Sequence, residues 1–129
     1  MNTTRILISN ELESYREALG EVFRTLRPGF EIFEADSGDL DRKVERLHPG
    51  LVVCSRATNS VRKSVPVWVE LYPDCEPLSV VSVSGRRREV ESIELSELLD
   101  LADRADVIRR KREDKVRESS GASEGSTAV

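Results

Sequence analysis

Residues 49–55, Pro49-Gly50-Leu51-Val52-Val53-Cys54-Ser55, decide the fold. Pro49 and Gly50 stop whatever precedes them, and Leu51 to Cys54 is an unbroken apolar run. Such a run has no alternation to leave one face in water, so it reads as a central parallel strand covered on both sides. Working backwards, Leu40, Val44 and Leu47 fall on one face of a helix over 40–47, with Asp36-Ser37-Gly38-Asp39 supplying its start. Before that turn, Phe30-Glu31-Ile32-Phe33-Glu34-Ala35 reads as a strand. Leu12, Tyr15, Leu19, Val22, Phe23 and Leu26 recur at three- and four-residue spacing, which predicts an amphipathic helix ended by Pro28-Gly29. Arg5-Ile6-Leu7-Ile8 is the first strand. The chain to Ser55 therefore spells βαβαβ, and right-handed crossovers place the first strand between the second and the third.

Working forwards, the pattern changes. Only Arg56 to Val65 separates the central run from the next strand candidate, Pro66-Val67-Trp68-Val69-Glu70-Leu71-Tyr72. A full crossover helix hardly fits in that interval. Val67, Val69 and Leu71 alternate with Trp68, Glu70 and Tyr72, which predicts a half-exposed strand near a sheet edge. Leu78 to Ser84 forms a further strand, and Gly85 turns the chain into a hairpin with Arg87-Arg88-Glu89-Val90. Ile93, Leu95, Leu98, Leu99, Leu101 and Ala102 mark a last helix with Ser92 as its cap. The expected fold is α/β: a flavodoxin-like, parallel βαβαβ first half, a rebuilt and partly antiparallel second half, and a C-terminal helix.

At 129 residues the chain suits one domain. Residues 1–106 are expected to form it, with 107–129 a basic, then Ser/Gly-rich, disordered tail. Residues 1–103 carry 13 Lys/Arg against 19 Asp/Glu, or −6, whereas 104–129 carry 7 against 5, or +2. An acidic body offers no broad surface for nucleic acid, and only the run Arg109 to Arg117 would attract it, weakly. No apolar stretch approaches the roughly 20 residues of a membrane span, which excludes a membrane-spanning helix. The polar lead before Arg5 leaves no room for a signal peptide, so a cytoplasmic location is expected. Cys54 and Cys75 are too few for a disulfide framework or a usual zinc site, and Cys54 reads as a core residue. No glycine-rich phosphate loop or Ser/His/Asp arrangement is present, and no cofactor is expected.

The first strand ending in Asn10-Glu11, the helix residues Arg16-Glu17-Ala18-Leu19, and Leu47-His48-Pro49-Gly50 before the third strand resemble a response-regulator receiver domain over residues 4–56. The resemblance places the family's acidic metal pair on Asn10 and Glu11 and its phosphoacceptor aspartate on Ser55. Receiver phosphorylation requires a carboxylate nucleophile, a divalent metal on the acidic pair, and a cation near the phosphoryl oxygens. Asn10 keeps an oxygen but loses a charge, Glu11 reaches further than aspartate, and Ser55 is a hydroxyl without a base. Residues 78–95 contain Arg86, Arg87 and Arg88 but no lysine to match the family's conserved one. The resemblance therefore implies a degenerate receiver, or pseudo-receiver, in signalling or transcriptional regulation that is neither phosphorylated nor an enzyme.

Its partner is expected to be a protein, a second copy of the chain included. Trp68, Glu70 and Tyr72, sharing one strand face, are the candidate interface, with packing under the last helix as the equal alternative. The alternative is a sensor of a small ligand or anion at the carboxyl ends of the strands, where Asn10, Glu11 and Ser55 meet. His48 at a helix C-terminus reads as structural.

Overall fold

The computed structural model describes residues 3–71 and 77–128, with side chains described as far as 115. Its elements are β1 (Arg5–Ser9), α1 (Glu13–Leu26), β2 (Glu31–Glu34), α2 (Leu40–Leu47), β3 (Leu51–Cys54), α3 (Asn59–Ser64), β4 (Val67–Glu70), β5 (Leu78–Val83), β6 (Arg86–Glu91) and α4 (Leu95–Ala128). All six strands join one mixed sheet in the order β2-β1-β3-β4-β5-β6. The first four are parallel; β5 and β6 add antiparallel.

Helices cover both faces of the sheet. On one, Leu19 and Phe23 of α1 and Leu98, Leu101, Ala102 and Ala105 of α4 pack over Ile6, Ile8, Leu51, Val53, Val67 and Val69. On the other, Leu40 and Val44 of α2 and Val61 of α3 cover Leu7, Val52, Cys54 and Trp68. The unbroken run Leu51 to Cys54 is wholly buried because its odd and even residues each meet a helical layer. β1 lies between β2 and β3, as the βαβαβ pattern predicts.

The second half departs from the sequence reading in four places. β4 is an interior strand, parallel to β3, and not a half-exposed edge. A short crossover suffices because β4 is the immediate neighbour of β3, about 4.8 Å away. The six residues of α3, about 9 Å long, return the chain along a four-residue strand. Thr58 caps that helix by accepting the Val61 N–H at 3.2 Å.

Trp68 and Glu70, expected to share an interface, are 2% and 8% exposed. Trp68 sits in the core beneath α2 and α3, so alternation here separates two buried layers rather than core from water. Tyr72 lies outside the described residues.

Ser92 adopts a left-handed conformation (φ 51) in the turn after β6, and the helix opens later, at Leu95. The cap position read from Ser92 is therefore a turn position. The hairpin itself forms where Gly85 predicts it: Ser84 and Gly85 both have positive φ, 49 and 86, the geometry of a two-residue type I′ turn.

Finally, α4 does not stop at 106. Ile108 packs against the core, and Arg109 Nε donates to Thr4 Oγ1 at 2.9 Å while Thr4 Oγ1 donates to Asp106 Oδ1 at 2.6 Å. A domain end at 106 cuts through this contact, which ties the helix to the entry of β1. Residues 107–115 continue the helix, and Ile108 and Arg109 are the residues that join it to the body.

Candidate functional site

Open α/β sheets present loop residues, free of ladder duties, at the carboxyl ends of their parallel strands. In this chain those ends carry Ser9 closing β1 and Asn10 after it, Ala35 and Asp36 after β2, Ser55 after β3, and Glu70 closing β4. The parallel registers bring them to one edge: Ser9 is level with Cys54, and Cys54 with Glu70.

Asn10, Glu11 and Ser55 all fall at this edge, and two of them are in direct contact. Ser55 Oγ accepts the Glu11 backbone N–H at 3.0 Å. Asn10 is 4% exposed, and its backbone carbonyl accepts Nη1 of Arg16 at 2.9 Å. Arg16 extends its other arm to Asp36 Oδ1 at 3.3 Å, joining the ends of β1 and β2. Asn10 Oδ1 and Ser9 Oγ are buried, and no donor among the described residues reaches either. A buried acceptor without a donor is uncommon and costs of order 1–3 kcal/mol.

Beside this group lies a second cluster that the sequence reading assigned elsewhere. Glu70 Oε2 accepts the Ala57 N–H at 2.7 Å and stands 3.8 Å from Arg62 Nη2. It holds the loop from β3 into α3 against the end of β4. Thr58 donates to Asp41, so the same loop is also tied to α2. Burial, together with the charge of Glu70, pushes the Cys54 thiol up to about 12, and its Sγ faces the Val69 carbonyl. Cys54 is thus an inert core thiol.

Chemically, the Ser55 hydroxyl has no histidine or lysine beside it among the contacts it makes, and it already serves as acceptor to Glu11. Arg86, Arg87 and Arg88 lie on β6, two strands beyond β4. They are therefore remote from the strand ends where a receiver keeps its cation. Among the described residues no group of three or more His, Cys, Asp or Glu is placed to hold a metal ion.

No protein-family model matches the chain, and no curated protein or solved structure matches it. Function has to be read from the chain's own geometry.

Arg16, Asp36 and Glu70 belong to this edge although only Ser55, Asn10 and Glu11 were expected there. Glu70 carried a usable signal: it is a carboxylate ending an apolar strand, level with Cys54 and so one residue short of the position that Ser55 holds after β3. Arg16 and Asp36 carried none, since their meeting depends on how α1 lies against β2. In the basic run, Arg109 is bound to Asp106 and Glu113, and Arg110 to Asp106 at 3.0 Å. Two of its cations are thereby engaged within the helix. No helix among the described residues is long and apolar enough to cross a membrane.

Proposed function

We propose that this chain is a non-enzymatic pseudo-receiver, a flavodoxin-like module that works in signalling or transcriptional regulation by contact with a protein partner and without phosphorylation. The observation carrying the proposal is the bond between the Glu11 N–H and Ser55 Oγ. Where a receiver would hold a carboxylate nucleophile, a hydroxyl closes the gap between two loops. A hydroxyl in that role is a latch, and a latch favours one fixed conformation over a switch between two. The parallel order β2-β1-β3-β4 agrees with the receiver-like reading, and the hairpin β5-β6 stands where a further βα unit would be needed for the response surface.

One observation favours a second reading. The orphaned Asn10 Oδ1, at a strand end whose backbone carbonyl is held by Arg16, suits a small ligand that offers a hydrogen-bond donor there. A sensor of such a ligand needs no catalysis.

Thermal unfolding with and without magnesium and beryllofluoride, on the wild type and on Ser55→Asp, tests the main reading. A ligand bound only to the native state raises the midpoint. The expected result is no shift for the wild type. A rise of several degrees in the wild type would mean a working phosphoryl site and would overturn the proposal.

A further inference from the structure

Strand β6 is the edge of the antiparallel side, and among the described residues β5 is its only strand neighbour. Its sequence is Arg86-Arg87-Arg88-Glu89-Val90-Glu91: cations in the first half, carboxylates in the second. Opposite it, β5 is Leu78-Ser79-Val80-Val81-Ser82-Val83 and carries no charge. The fold therefore gives these side chains no cross-strand counter-ion. Arg87 lies 5.3 Å from the ring centroid of Trp68, and among the described residues Arg86, Arg88, Glu89 and Glu91 take part in no ion pair or side-chain hydrogen bond.

The turn fixes which backbone groups are free. Val83 and Arg86 flank a two-residue turn and so form a hydrogen-bonded pair, after which the pattern alternates. Arg86, Arg88 and Val90 point their N–H and C=O groups at β5. Arg87, Glu89 and Glu91 point theirs outward. Charged edges normally repel arbitrary strands. Here the signs are segregated along the strand, so the same strand running the other way can set a cation of each copy against a carboxylate of the other.

We infer that β6 is a homodimerisation edge, pairing antiparallel with β6 of a second copy across a two-fold axis at Arg88. Such an axis stands normal to the sheet and sets one residue against its own copy. With Arg88 at the centre, Arg87 faces Glu89 of the second copy, and Glu89 faces its Arg87. These are also the residues whose outward backbone groups can exchange hydrogen bonds. Arg88 meets its own copy, but the surface cavity of about 340 Å³ that Arg88 shares with Arg104 is also lined by Glu97 and Asp100 of α4, so each guanidinium at the axis stands in a surface whose charges balance. Moving the axis to Glu89 would instead set two carboxylates face to face. The dimer would supply one partner for the interaction reading above, and it rests on that reading only in this sense.

Sedimentation equilibrium over a wide concentration range tests it. The mass should rise from 14.5 kDa towards twice that value. Glu89→Arg turns both symmetric pairs into like charges and should weaken the dimer by about tenfold or more. The double variant Arg87→Glu with Glu89→Arg should restore it, because only the Arg88 axis pairs these two positions. Glu89→Pro removes an outward N–H while leaving the bonds to β5 intact, and should give a monomer with an unchanged far-ultraviolet spectrum. A wild type that stays at 14.5 kDa throughout, a dimer indifferent to Glu89→Arg or Glu89→Pro, or a double variant that stays monomeric would each overturn the inference. The mass readout is separate from the magnesium and beryllofluoride test, so either can fail alone.

Discussion

Asp106 shows how a single residue ties a terminal helix to the sheet. Burial alone would raise its carboxyl group, but the Thr4 hydroxyl and the cations Arg109 and Arg110 outweigh that, and the group sits below the ordinary aspartate range. A carboxylate with a lowered value in the folded state adds stability that is complete above its unfolded value, about 3.9, and is lost as pH falls through the folded one. The lead in unfolding midpoint of wild type over Asp106→Asn should hold constant from about pH 5 to 8 and close below about pH 4. A difference that persists in acid would show that shape, and not charge, holds the contact. At the strand ends, the adjacency of Asn10, Glu11 and Ser55 was legible because their positions follow directly from three strand assignments. Arg16 and Asp36 were not, since a link across 20 residues is set by helix placement.

β4 separates what an element's sequence can say from what its neighbours decide. Alternation of Val67, Val69 and Leu71 with Trp68 and Glu70 is the usual mark of a strand with one wet face. The pattern is real, but Trp68 belongs to the layer under α2 and α3 and is as buried as the valines. Deleting its ring would leave a void that the surrounding layer fills only partly. Trp68→Ala should therefore cost about 3–5 kcal/mol in urea unfolding, far more than an exposed interface tryptophan would. A loss under 1 kcal/mol would return Trp68 to the surface. The hairpin and α2 were read correctly because their determinants are local: Gly85 for the turn, and the spacing of Leu40, Val44 and Leu47 for the helix.

At the scale of the molecule, the boundary at 106 falls inside a helix that still has work on the body. A chain ended after residue 106 loses Ile108 from the core and the Arg109 bond to Thr4, whereas one ended after 115 keeps both. The shorter chain should unfold at least a few degrees lower in a thermal scan, by an amount consistent with about 1–2 kcal/mol of lost burial and hydrogen bonding. Equal midpoints would restore the boundary at 106. By itself the sequence determined the α/β class, the parallel βαβαβ start with β1 between β2 and β3, the hairpin, and the absence of a carboxylate at Ser55, because periodicity, turn chemistry and residue identity act over a few neighbours. Only the tertiary structure decided that β4 is interior, that Glu70 secures a loop rather than an interface, and that α4 runs on past 106. Each of these depends on which surface another element brings to the same place, and burial belongs to the packed whole rather than to any segment.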